Sequence, residues 1–121
     1  MLPELSKRFE VIIFNTSEFE DEISLYAKKF CRWINVQAKN EYEIADIIYR
    51  KKVDVLVDSS GLTRTNNLGV FKLRPSNNQV SWAGWLASTN LKEMDYVISD
   101  NFCTPKKDEK FFTEKILRMK N

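Results

Sequence analysis

Val53–Asp100, VDVLVDSSGLTRTNNLGVFKLRPSNNQVSWAGWLASTNLKEMDYVISD, is the stretch that decides the fold. It opens with VDVLV (Val53–Val57), a β-branched run of the kind that suits a strand covered on both faces. Asp58-Ser59-Ser60-Gly61 stops that strand, because three small polar residues and a glycine favour a turn. A helical patch follows, with Leu68, Phe71 and Leu73 on one side. Arg74-Pro75 ends it, since the residue before proline is pushed out of the α region. Gln79–Trp82 reads as a second strand and Gly84–Asn90 as a second polar loop. Met94 leads into a third strand at Tyr96–Ser99, closed by Asp100.

Working outward, Phe9–Phe14 (FEVIIF) reads as an earlier strand. Ser17 offers an N-cap and Glu20, three residues on, completes a capping box. Phe19, Ile23, Tyr26, Ala27 and Phe30 share one helical face, which predicts a buried stripe. Cys31–Val36 is a further strand. Asn40 can cap the next helix with Glu43 as the box partner, and Ile44, Ile47 and Ile48 form its apolar stripe beside Ala45. Arg50-Lys51-Lys52 is a solvated helix end favoured by the dipole rather than a phosphate site. Downstream of Asp100, Phe111–Met119 is expected to be a short helix running into a last strand at Ile116–Met119. The alternation of strand and helix implies an α/β, Rossmann-like three-layer fold with a mostly parallel sheet, formed as a single domain over residues 1–121.

In an open parallel sheet every loop that follows a strand emerges on one edge, and ligands bind in that crevice. Asp58–Thr63, Gly84–Asn90 and Asp100 are thereby assigned to one rim. Asp54 and Asp58 share a strand face, but a spacing of four residues sets them roughly 13 Å apart, too far to share a proton or a metal ion. Asp58 is expected to accept hydrogen bonds from backbone donors in its turn. Gly61 supplies either an unusual backbone shape or room for a close approach. Thr63 can present its hydroxyl or cap the following helix. Trp82 reads as core, and Trp85 as an aromatic at the rim.

Composition narrows the alternatives. The chain has 121 residues, 43% of them hydrophobic, enough for one packed core. Nineteen basic against 17 acidic residues leave +2, too even a balance to point to nucleic acid or an anionic membrane. Cys31 and Cys103 fit no metal or disulfide pattern, which suits reduced thiols in a cytoplasmic protein. No apolar run approaches membrane-spanning length and no signal peptide is recognisable at Met1. The sequence contains no histidine, so the commonest general base and the commonest metal ligand are both missing.

Asp58-x-x-Gly61-x-Thr63, Phe71-x-Leu73-Arg74-Pro75, Gln79-Val80-x-Trp82-x-Gly84 and Met94-Asp95-Tyr96 with Asp100 together resemble the signature of protein O-GlcNAc transferases, in the N-terminal half of their catalytic region. The resemblance implies transfer of N-acetylglucosamine from UDP-GlcNAc to serine or threonine hydroxyls of proteins. It also implies two facing Rossmann-like lobes and no metal or other cofactor. This chain resembles part of the first lobe, truncated or split, with Asp58, Gly61, Thr63, Gly84, Trp85, Ser88 and Thr89 facing acceptor or sugar. No catalytic residue carries over. The expected partners are a second catalytic lobe or partner subunit and a protein acceptor, and the chain by itself is expected to be silent. The family's Gly-Tyr-Pro-Gly-Thr-x-Gly loop reads here Gly84-Trp85-Leu86-Ala87-Ser88-Thr89-Asn90, so a proline and two glycines are replaced. The alternative is a non-catalytic α/β binding module that docks on a partner protein through an open sheet edge.

Overall fold

The computed structural model describes residues 1–64 and 66–119. It consists of two compact units, Met1–Lys39 and Asn40–Asn121. Every strand pairing in both is parallel, as the alternation of elements requires.

The first unit holds α1 (Leu2–Leu5), β1 (Ile12–Asn15), α2 (Glu22–Ala27) and β2 (Arg32–Asn35). Ile12 pairs with Arg32 and Asn15 with Asn35. The Ser17 capping box does not form. Ser17 Oγ instead accepts from Phe19 N at 3.1 Å, closing a local turn that consumes the hydroxyl. The helix starts four residues later, where Asp21 caps it by accepting from Ser24 N at 2.8 Å. That delay leaves Phe19 outside the helix and the helix only six residues long. The expected buried stripe is therefore absent: Phe19 is 85% exposed and Ile23 76%, and only Ala27 in α2 is buried.

The second unit begins with α3 (Glu41–Arg50). Here the capping box is present: Asn40 accepts from Glu43 N at 3.0 Å, and Glu43 accepts from Asn40 N at 2.9 Å. Ile44, Ala45 and Ile48 are buried. A sheet follows in the order β3 (Val55–Asp58), β4 (Asn78–Trp82), β5 (Tyr96–Ser99), β6 (Lys115–Arg118), with α4 (Leu68–Lys72) between β3 and β4. β3 is covered on one face only. Leu56 and Asp58 are buried, whereas Val55 and Val57 are exposed, as an end strand with alternating side chains allows. Leu68, Val70 and Phe71 bury α4, while Leu73 lies outside it and is exposed. After β5 a 3-10 helix spans Lys106–Phe111, earlier than the helix expected over 111–119, and β6 takes up the residues behind it.

Polar contacts at the N-terminal ends of β4 and β5 hold the sheet in register. Gln79 is completely buried, and its Nε2 donates to the carbonyls of Phe71 at 2.9 Å and Glu93 at 2.8 Å. Arg74 donates to the carbonyls of Glu93 at 2.7 Å and Asn77 at 3.2 Å and to the Asp95 carboxylate at 2.8 Å. The other Asp95 oxygen accepts from Gln79 N at 2.9 Å. One side chain thus ties the exit of α4 to two strands. Gln79→Leu should lower unfolding free energy by about 1–3 kcal/mol, because both hydrogen bonds of a buried amide are lost. Asn40→Ala should cost only about 1 kcal/mol. Urea titration of both variants checks the ranking.

Candidate functional site

The C-terminal ends of β3, β4 and β5 lie along one edge of the second unit's sheet, so the segments after Asp58, Trp82 and Ser99 emerge together. The first two are interlocked. A Cβ on Gly84 would fall on the carbonyl of Ser59, and a Cβ on Gly61 would fall on the Cβ of Trp85. Each loop carries a glycine where the other's backbone or aromatic stem passes. Gly61 is also left-handed, with φ +57°, so both roles foreseen for it apply. Gly84 has no positive φ and is needed for space.

Asp58 is buried, and its carboxylate accepts from Ser60 N at 3.1 Å, Ser60 Oγ at 2.8 Å and Gly61 N at 2.8 Å. It shapes the turn, as expected. Thr63 is exposed, and its carbonyl accepts from Asn66 N at 3.1 Å and Asn66 Nδ2 at 2.8 Å. The residue at the N-cap of α4 is Asn67, not Thr63. Asp100 accepts from Phe102 N at 2.9 Å and Cys103 N at 2.7 Å. The bond from the Cys103 amide is the main reason its carboxyl titrates below the usual range.

Trp82 and Trp85 are both half-buried, and both line a cleft of about 150 Å³ with Leu86, Asp100, Cys103 and Met119. Trp82 is therefore a cleft wall rather than a core residue. The indole Nε1 of Trp85 is buried and makes no hydrogen bond within the protein. Leu62, Leu86 and Phe102, one from each successive loop, are exposed, Phe102 at 92%.

Ser88 and Thr89 are committed to a carboxylate that sequence reading missed. Glu114, immediately before β6, is only 6% exposed. It accepts from Ser88 Oγ at 2.7 Å, Thr89 N at 2.7 Å, Thr89 Oγ1, and Thr113 Oγ1 at 3.2 Å. Thr89 itself is 3% exposed. Nothing local to Phe111–Met119 signals this partnership, which spans 25 residues. Burial pushes the Glu114 carboxyl up, but the bonds from Thr89 and Ser88 outweigh it and hold the group below its ordinary 4.5.

The loop itself has compensated for its lost glycines. Asn90 occupies the last glycine position of the resembled pattern, and its φ is +60°, in the left-handed region that asparagine tolerates best among non-glycine residues. Ala83, just before the loop, also has positive φ, at +70°. Among the described residues no group of three or more His, Cys, Asp or Glu side chains is placed to hold a metal ion.

Two outcomes follow for stability. Gly84→Ala should cost about 1–3 kcal/mol by overpacking, and Gly61→Ala roughly a further 1–2 kcal/mol because its φ is left-handed. Urea titration with near-UV circular dichroism reads both. A carboxylate whose folded pKa is lowered contributes fully above its unfolded value and loses that contribution as pH falls through the folded value. Stability should therefore drop with acid below pH 4.5, and Glu114→Gln should flatten that limb in urea midpoints measured across the same range.

Comparison with other proteins fits this frame. Residues 4–121 match the model for glycosyl transferase family 41. A probable UDP-N-acetylglucosamine–peptide N-acetylglucosaminyltransferase SPINDLY from Oryza sativa subsp. japonica is 32% identical over 104 residues, covering 86% of this chain and 11% of that protein. Its namesake from Arabidopsis thaliana is 28% identical over 120 residues, covering 93% and 13%. A mutant O-GlcNAc transferase of Thermobaculum terrenum superposes with a TM-score of 0.91 at 24% identity, covering 98% of this chain and 24% of its own. That likeness speaks for the fold. The chain spans about a tenth of the length of these curated relatives. With the family pattern running through both units and through the interlocked rim loops, the chain belongs to glycosyl transferase family 41.

Proposed function

We propose that this chain supplies the rim of the first lobe of a glycosyltransferase that moves N-acetylglucosamine from UDP-GlcNAc to serine or threonine of a protein acceptor. Asp58, Gly61, Thr63, Gly84, Trp85, Ser88 and Thr89 build that rim. In this reading Trp85 faces the acceptor or sugar, while Asp58, Ser88 and Thr89 hold the loops that present it. The donor is UDP-GlcNAc, and no metal or other cofactor takes part. The family match over residues 4–121 carries the reading.

Catalytic groups come from elsewhere, from a second lobe or a partner subunit. Asp58 and Asp100 are each occupied by donors of their own turn, and Glu114, just before β6, is occupied by donors of loop 84–90. Asp100 and Glu114, both held below the ordinary carboxylate range, are poor proton acceptors at neutral pH. Exposed Leu62, Leu86 and Phe102 suit apposition of a second surface at this edge. A cytoplasmic setting is supported by two unpaired thiols, Cys31 and Cys103.

The pure chain, incubated with radiolabelled UDP-GlcNAc and acceptor peptides, should transfer no sugar. The same residues grafted in place of the matching stretch of the Thermobaculum terrenum enzyme should support transfer. Robust transfer by the chain on its own overturns the division of labour, and a folded but inert graft overturns the family activity.

A non-catalytic docking module draws on a different observation, the exposed Val55 and Val57 on a strand that ends its sheet. Size-exclusion chromatography separates the readings: a strictly monomeric chain with no affinity for other proteins argues against docking.

A further inference from the structure

We propose that Glu114 is the positioning residue that sets the conformation of loop 84–90 and thereby the placement of Trp85 at the rim. This rests on the proposed function only in taking the loop to face the acceptor.

Among the described residues no backbone–backbone hydrogen bond involves residues 85–90. The loop's polar order comes instead from side chains gathered on one carboxylate. One Glu114 oxygen takes the Thr89 amide at 2.7 Å and the Thr89 hydroxyl. The other takes the Ser88 hydroxyl at 2.7 Å. Ser88 Oγ passes the connection on, accepting from Asn90 N at 3.0 Å and Thr113 N at 3.3 Å. Thr89 Oγ1 likewise accepts from Leu91 N at 3.3 Å.

None of the ion pairs found among the described residues includes Glu114. A buried carboxylate satisfied only by hydroxyl and amide donors makes demands on all of them, since each lost donor leaves charge desolvated. The loop is thus held by one group, at a point three and four residues from Trp85. At the other end Trp85 is wedged against Gly61. Between these anchors the loop passes through Leu86 and Ala87, both exposed. Releasing Glu114 frees the distal anchor while leaving the Gly61 contact and the strands in place.

Incorporation of 5-fluorotryptophan gives separate fluorine resonances for Trp33, Trp82 and Trp85, assigned by single Trp→Phe substitutions. Glu114→Gln should move the Trp85 line and leave Trp33 unchanged. Thr89→Val should move the Trp85 line in the same direction, and combining the two should add little, as expected for groups acting as one unit. A Trp85 line that stays in place in folded Glu114→Gln overturns the proposal. Should that variant not fold, Ser88→Ala, which removes a single bond to the carboxylate, takes its place with the same two outcomes. Titration of the unsubstituted protein with a Ser/Thr-containing acceptor peptide tests the functional reading separately. No Trp85 response there counts against the proposed function, whereas only the variants decide on Glu114.

Discussion

The rim depends on two backbones coming closer than side chains permit. The Ser59 carbonyl stands where Gly84 would carry a Cβ, and the Trp85 stem stands where Gly61 would carry one. Parallel pairing of β3 and β4 brings the two loops out side by side, with Asp58 opposite Ser81. Without both glycines the loops would have to separate, and the cleft wall formed by Trp82 and Trp85 would separate with them. Packing at this density leaves no slack to absorb an added methyl group.

Carboxylates complete what the glycines begin, each in a different way. Asp58 folds the loop after β3 back on itself through three donors, two of them backbone amides. Asp100 does the same after β5. Glu114 works from the other end of the sheet: it stands before β6, level with the start of β5, and reaches the loop after β4 as that loop returns. Three acidic side chains bonded to these loops would suggest acid–base chemistry if read as a list. Their donors say otherwise, because a carboxylate engaged by N–H and O–H groups of the loops it shapes has a structural occupation.

What could be read from the chain follows how local the physics is. Asn40 and Glu43 form their capping box because both partners lie within one turn. Tyr96–Ser99 is a strand with the expected limits, since its apolar run is bounded on both sides by breaking residues. Ser17 carries the same kind of cap signal and does not use it, because a nearer amide, that of Phe19, competes for the hydroxyl. The face through Phe19, Ile23 and Tyr26 shows helical spacing, yet burial needs a surface to pack against, and spacing carries no information about that. Val55 and Val57 mislead for the same reason: β-branching indicates a strand, not how many of its faces are covered. Glu114 was illegible because every donor but Thr113 lies about 25 residues away.

The family-like residues divide between the two ends of the sheet, and the division explains which changes the chain has accepted. Arg74, Gln79 and Asp95 lie where β4 and β5 begin, bonded to one another and to backbone groups of three separate segments. Gln79 is completely buried there, and an apolar replacement forfeits both of its bonds. In the loop after β4 the constraint is one of shape, and shape admits substitutes. Asn90 reaches the left-handed region that a glycine would occupy, at modest cost. Gly84 has no such substitute, because what excludes a side chain there is the Ser59 carbonyl rather than a dihedral angle. A glycine required for its torsion can be exchanged for asparagine; a glycine required for its emptiness cannot. The loop has changed at the first kind of position and kept its residue at the second.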